Sequence, residues 1–365
     1  MDNLRVIISG GGTGGHIFPA LSIADALRKI VPGVQILFVG AEGRMEMQRV
    51  PEAGYDIVGL PVMGFDRRSL WRNVKVLWRL MQSQVKARRV VRSFKPDVAV
   101  GVGGYASGPT LKVASSMGIP TLLQEQNSYA GVTNRILSRR AARICVAYDG
   151  MERFFDKSKI IMTGNPVREA MLLAPMTRDE ARSHFGLAAG GKVVLVVGGS
   201  LGARTLNETL LANREWMEGS GLQFICQTGK LYYEKVAAAF RDSRTVKVLD
   251  FIKDMGAAYR AADVVVSRAG AGSISELELL GKPAVLVPSP NVAEDHQTKN
   301  AMALVGKGAA VCVKDSEAVQ GLFAAVAELV GDDARLAEMG QRMLSLACKD
   351  SARRIAEEVV KLAKR

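Results

Sequence analysis

The chain has 365 residues, 48% of them hydrophobic and 23% charged. That composition excludes a disordered or collagen-like chain, and the length exceeds what one hydrophobic core usually serves, so two domains are expected. The net charge of +13 is lopsided: residues 1–165 hold 23 Lys and Arg against 12 Asp and Glu, whereas residues 166–365 hold 26 against 24. A basic half attracts nucleic acid, anionic lipid or a phosphorylated substrate.

Cysteines at 145, 226, 312 and 348 form no C-x-x-C pair, so neither a zinc site nor a redox motif is legible and reduced thiols are the default. No run of eighteen apolar residues occurs, and Met1-Asp2-Asn3 places an acid where a signal peptide would be positive. The protein is therefore expected on the cytoplasmic side.

Leu4–Ser9 reads as the first strand, and Gly10, Gly12 and Gly15 after it satisfy G-x-G-x-x-G ahead of a helix over Pro19–Ile30. The second strand, Ile36–Val39, ends in Gly40-Ala41 without the acidic residue that would hold a ribose, so the loop reads as a general anion site more than a dinucleotide site. His16, at the mouth of the loop, is a candidate general base or hydrogen-bond donor, with helix capping as the plain alternative.

Between Arg67 and Lys95 lie ten Lys and Arg residues and no acid. Leu70, Trp71, Val74, Leu77, Trp78, Met81 and Val85 recur at helical spacing, with Arg72, Lys75, Arg79 and Lys86 on the adjoining arc. Such a helix suits the headgroup boundary of an anionic membrane. The C-terminal half of the stripe is expected to pack on a sheet, while Leu70, Trp71 and Trp78 fit either role.

Strands are predicted at Val98–Val102, Thr121–Gln124 and Ile144–Ala147, the first two ending in the polar loops Gly101–Pro109 and Gln124–Asn127. Gly164-Asn165-Pro166 punctuates the chain as a domain boundary. Beyond it, strands are predicted at Val193–Val197, Phe224–Gln227, Val246–Leu249, Val264–Ser267 and Ala284–Val287, with helices over Leu206–Met217, Leu231–Phe240, Ser273–Leu280 and Ala318–Val330. The alternation predicts an α/β protein with parallel sheets covered on both faces. Val193–Val197 runs into Gly198–Ala203 as the first strand runs into its own glycines, so two Rossmann-like halves are expected, with ligands in an interdomain cleft at their strand C-termini. In Arg268–Glu276, small residues would admit a phosphate to a helix N-terminus and Glu276 could bridge two ribose hydroxyls; a Ser273–Glu276 capping box is the competing reading. Asp295-His296-Gln297 follows the next strand within reach of a sugar, and Ser351–Arg365 reads as a final basic helix.

Gly11-Gly12-Thr13-Gly14-Gly15-His16, Gly103–Pro109, Glu125-Gln126-Asn127, Gly164–Arg168, Gly198–Arg204 and Ala271–Glu276 occur in the order seen in the MurG family, which the whole chain resembles without a large insertion. The resemblance implies a GT-B fold: an acceptor-binding, membrane-facing domain over 1–165, a UDP-sugar domain over 166–350, and a helix over 351–365 that returns to the first. It implies inverting transfer of N-acetylglucosamine from UDP-N-acetylglucosamine to the 4-hydroxyl of N-acetylmuramoyl in undecaprenyl-diphosphoryl-MurNAc-pentapeptide (lipid I), giving lipid II in peptidoglycan synthesis. The expected enzyme is peripheral, on the cytoplasmic face of the inner membrane, with no metal, cofactor or nucleic-acid partner.

By position, donor contacts fall to Thr13, Gly14, Gly15, Asn127, Arg168, Ser200, Ile252, Ala271, Gly272, Ser273, Ile274, Ser275, Glu276 and Gln297, with Ile252 offering its backbone to uracil. His16 would activate the acceptor, with Glu125 as the competing base or its orienter. Gly12, Gly103, Gly104, Tyr105 and Ser107 would hold the acceptor diphosphate, and Leu70, Trp71, Arg72, Lys75, Trp78 and Arg79 would meet the membrane. The rivals are an NAD-dependent oxidoreductase built on G-x-G-x-x-G, another lipid-acceptor GT-B glycosyltransferase, and a non-catalytic membrane or nucleic-acid binding protein.

Overall fold

The computed structural model describes residues 3–63, 70–167, 175–199, 201–292 and 295–364, without the side chains of 70–75 and 77. The chain divides into two units, residues 1–167 with 349–365, and residues 168–348.

In the first unit, β1 (Arg5–Ser9), β2 (Gln35–Ala41), β3 (Asp56–Leu60), β4 (Val98–Gly101), β5 (Thr121–Glu125), β6 (Arg143–Val146) and β7 (Ile160–Met162) form a sheet of order β3-β2-β1-β4-β5-β6-β7. Every pairing is parallel. Alternation along β1 sends its side chains to two cores. Val6 and Ile8 pack with Ile17, Leu21 and Leu27 of the Gly14–Ile30 helix, and Ile7 packs with Ala87, Val91 and Val113 on the other face. The Ser351–Ala363 helix joins the first of these cores through Ile355, Ala356, Val359 and Leu362, a helical stripe. Arg354 fastens its start by donating to the Met162 carbonyl at 2.6 Å.

The second unit holds β8 (Val193–Val197), β9 (Gln223–Gln227), β10 (Val246–Leu249), β11 (Val264–Ser267), β12 (Ala284–Leu286) and β13 (Ala310–Cys312) in the order β10-β9-β8-β11-β12-β13, again all parallel. Val194 and Val196 enter one core, Val193 and Leu195 the other.

Strands β3, β7 and β13 were not predicted, and each lies at a sheet edge. The predicted helix over 206–217 is two helices, Arg204–Ala212 and Arg214–Gly219, parted at Asn213, whose side-chain amide donates to the Thr209 and Val319 carbonyls at 2.9 Å each. The first helix begins at Gly14 and not at the expected Pro19; Gly14 and Gly15 carry no apolar signal that would mark them as helical. The Leu70–Phe94 helix turns Val76, Ser83, Ala87 and Val91 inward and leaves Trp78, Met81 and Val85 exposed, so the later half of the apolar stripe does not pack on the sheet. No helix among the described residues is long and apolar enough to cross a membrane.

Candidate functional site

In the first unit the loops after β1 and β4 meet backbone to backbone: a Cβ at Gly104 would collide with the Gly11 carbonyl, and Gly103 and Gly104 both have positive φ, +92° and +83°. The His16 ring lies against Gly103, where a Cβ would come within 2.8 Å of Cδ2 and Nε2. Only glycine therefore fits beneath the imidazole. Thr13 Oγ1 lies 3.2 Å from His16 Nδ1. Thr13 also precedes the helix without capping it, and the first helical bonds are those from the His16 and Ile17 N–H to its carbonyl. The Gly14 and Gly15 N–H groups are thus the open donors of that helix end, where the helix dipole adds partial positive charge.

Two members of the expected acceptor-phosphate set are occupied. The Gly12 N–H donates to both carboxylate oxygens of Glu46, at 3.1 and 3.0 Å. The buried Ser107 hydroxyl donates to the Ser9 and Gly103 carbonyls at 2.7 and 2.8 Å, so it ties the β4 loop to β1. Tyr105 is exposed.

Glu125 has the partners of a brace. Oε1 accepts from the Asn127 N–H at 3.1 Å and the Asn127 side-chain amide at 3.3 Å; Oε2 accepts from the Gly131 N–H at 3.0 Å and Asn134 Nδ2 at 2.8 Å. Burial pushes its pKa up, and these four bonds oppose the shift. A carboxylate so engaged holds the loop from 126 to 131 and is poorly placed to accept a substrate proton, which counts against Glu125 as the base.

In the second unit, the loop after β8 packs on the chain after β9, where Gly202 has φ +80° and a Cβ on it would collide with the Thr228 carbonyl. Gln227 links this loop to the next: its amide donates to the Gly199 carbonyl at 3.0 Å, and its oxygen accepts the Ile252 N–H at 2.9 Å. The Ile252 N–H is therefore not available to uracil, and only its carbonyl is left for a base edge. The Ile252 side chain is buried in the core.

The Ala271–Leu280 helix follows β11 with Gly270 as its N-cap and no side-chain cap, so the competing reading, a Ser273–Glu276 capping box, does not hold. Ser273 is already the third helical residue. The Ile274 N–H closes on the Gly270 carbonyl at 3.0 Å while the Ile274 side chain is fully buried, which removes Ile274 as a phosphate contact. Ala271, Gly272 and Ser273 supply the open N–H groups. A Cβ on Gly272 would meet nothing within 4 Å, so the approach is clear. About one and a half turns in, Glu276 Oε2 accepts from the Tyr259 hydroxyl at 2.6 Å. Burial lifts the Glu276 pKa to about 7, with the tyrosine bond opposing the shift. Ser275 is buried. Gln297 Oε1 accepts the Ser289 N–H at 2.8 Å, so its amide oxygen is engaged within the unit.

Arg168 and Ser200 lie outside the described residues, as do the side chains of Leu70, Trp71, Arg72 and Lys75. Trp78, Met81 and Val85 form an exposed apolar row with Arg88, Arg89 and Arg92 exposed further along the helix and Arg79 partly buried beside Trp78. Lys86, expected on the basic arc, pairs with Glu42 at 2.7 Å. No group of three metal-ligating side chains occurs among the described residues. The motifs did not point to Glu46, Gln227 or Tyr259.

Comparison with known proteins matches residues 6–146 to the glycosyltransferase family 28 N-terminal domain and residues 193–359 to the family 28 C-terminal domain. A Bacteroides fragilis protein, "UDP-N-acetylglucosamine--N-acetylmuramyl-(pentapeptide) pyrophosphoryl-undecaprenol N-acetylglucosamine transferase", is 61% identical over 99% of this chain and 96% of its own. The Bacteroides thetaiotaomicron protein of the same name is also 61% identical, over 99% of this chain and 98% of its own. Among solved structures, Acinetobacter baumannii MurG matches with a TM-score of 0.77 and 30% identity, covering 98% of this chain and 99% of its own.

Proposed function

This chain belongs to glycosyltransferase family 28, and from that membership we propose that it transfers N-acetylglucosamine from UDP-N-acetylglucosamine to the muramoyl sugar of an undecaprenyl-pyrophosphoryl N-acetylmuramyl-pentapeptide. The observation that carries this reading is 61% identity, over 99% of the chain, to relatives named for that reaction. The NAD-dependent reading rested on the glycine loop alone and is not favoured, because the Gly12 N–H is held by an internal carboxylate.

The second unit binds the donor. The open N–H groups of Ala271, Gly272 and Ser273 receive the diphosphate, where the helix dipole favours negative charge and stabilises UDP as it departs. Glu276 accepts the ribose hydroxyls, the Ile252 carbonyl faces the base, and Gln297 meets the sugar. The first unit binds the acceptor diphosphate at Gly103, Gly104 and Tyr105 and at the Gly14–Gly15 helix start, a pair that family position alone would give to the donor. His16 takes the proton from the muramoyl 4-hydroxyl as that oxygen attacks C1 of the donor sugar; the C1–O bond to UDP breaks on the opposite face, and the configuration inverts. No step calls for a metal. Trp78, Met81 and Val85 with the neighbouring arginines seat the first unit on an anionic membrane surface, at the cytoplasmic face where the lipid-linked acceptor is presented.

The test is an assay with UDP-N-acetylglucosamine labelled in the sugar and a lipid-linked MurNAc-pentapeptide analogue. The label should appear in a β-1,4 disaccharide on the acceptor, dependent on both substrates. An acceptor left unlabelled under conditions where UDP-N-acetylglucosamine binds would reject the reading.

A further inference from the structure

We propose that Glu46 is a positioning residue for the transfer: its carboxylate fills the first turn of the Gly10–Gly15 loop as an internal anion and so fixes the backbone that carries Thr13 and His16. Glu46 is 1% exposed and opens the Glu46–Glu52 helix. Its two oxygens accept the Gly12 N–H at 3.1 and 3.0 Å, and Oε1 also accepts the Ala41 N–H at 2.9 Å. Two glycines make room for it. A Cβ at Gly11 would collide with Oε1, and one at Gly40 would come within 2.6 Å of Cγ. A carboxylate is costly to bury without charge-stabilising partners, and here the loop N–H groups are those partners.

This turn therefore already holds its anion. A ligand phosphate placed there would lose the Gly12 donor and face a like charge at short range. The G-x-G-x-x-G pattern thus specifies a backbone path without specifying a phosphate site, and an anion is displaced towards Gly14 and Gly15. The part of the proposal that concerns His16 rests on the acceptor-activation reading above; the part that concerns Gly12 does not.

Glu46→Gln keeps the shape but turns an N–H₂ group towards a backbone donor. The expected result is a kcat lowered by about tenfold or more, since displacing a catalytic group by about 1 Å can cost a hundredfold. The KM for UDP-N-acetylglucosamine and the thermal shift induced by UDP should stay at parent values. A purely structural role would lower thermal stability and leave the kcat of the folded enzyme unchanged. Gly40→Ala, outside the loop, should reproduce the kcat loss by pushing on Cγ. In the unmodified protein labelled with ¹⁵N-glycine, inorganic pyrophosphate should leave the Gly12 amide unmoved while shifting Gly14 and Gly15. A Gly12 amide that moves with pyrophosphate, or parent kcat in both folded variants, overturns the proposal. If Gly14 and Gly15 also stay still, the acceptor-phosphate reading falls, while the unmoved Gly12 still supports the internal anion.

Discussion

The loops after β1 and β8 share a glycine rhythm and the same place in their sheets, each following the strand where the order reverses, yet opposite chemistry braces them. The β1 loop is held by a carboxylate: Glu46 takes the Gly12 and Ala41 N–H groups. The β8 loop is held by a neutral amide: Gln227 donates to the Gly199 carbonyl and accepts from Ile252. Glycines fix the backbone path in both, because a Cβ at Gly11 would collide with the Glu46 carboxylate and one at Gly202 with the Thr228 carbonyl. The side chain brought from elsewhere sets the charge that each loop tolerates. In the second unit the open N–H groups lie at the start of the Ala271–Leu280 helix, and its carboxylate, Glu276, is about one and a half turns further in, clear of the proposed phosphate site.

The largest effect that would sharpen this contrast is at His16. His16→Ala should lower kcat by about a hundredfold or more, the usual scale for losing a general base. The UDP-induced thermal shift should stay intact if, as proposed, the donor binds the other unit; parent turnover would remove His16 as the base.

Next comes Glu276→Gln, which should raise the donor KM by about tenfold or more with little change in kcat, the scale for weakening a hydrogen bond to a charged group. The same residue gives a pH test. With its pKa lifted to about 7, Glu276 loses its charge as pH falls through that value, so UDP affinity should drop below pH 7 in the parent and flatten in Glu276→Gln. The unliganded fold runs the other way. A carboxyl whose folded pKa is raised from 4.5 to about 7 stabilises the fold less as pH climbs through that interval, so thermal stability should decline across it. UDP affinity that is indifferent to pH would contradict a ribose role.

The smallest effect belongs to the exposed row. Replacing Trp78, Met81 and Val85 together by Ser should weaken binding to anionic vesicles several-fold in a flotation assay, while leaving UDP binding unchanged. The parent's vesicle binding should weaken as salt rises, since Arg88, Arg89 and Arg92 are exposed and screened. Vesicle binding that is unaltered by the triple substitution would return the row to an ordinary surface.

Much of this was legible in the sequence because the information is contiguous. Val6–Ile8 and Val193–Val196 are apolar runs that only a strand buried on both faces needs, and the glycine loops follow them directly. The strands that escaped notice, β3, β7 and β13, each pair with one neighbour and are less fully buried, so their sequences carry weaker apolar signals. The apolar stripe on the Leu70–Phe94 helix misled for a related reason: periodicity marks a face without saying whether it turns inward, and here Ser83 and Ala87 are buried while Met81 and Val85 are not. The hidden parts of the site are bracing groups. Glu46 reaches a loop 34 residues away, Gln227 a loop 25 away and Tyr259 a helical residue 17 away, so no local spacing records them.

If the nucleotide is held at the second unit's helix start while Glu46 already fills the first unit's glycine turn, UDP must register at the one and not at the other. Hydrogen–deuterium exchange with and without UDP tests it most directly. Exchange should slow across residues 268–276 and stay unchanged across residues 9–12; protection at 9–12 without protection at 268–276 would place the nucleotide in the first unit instead.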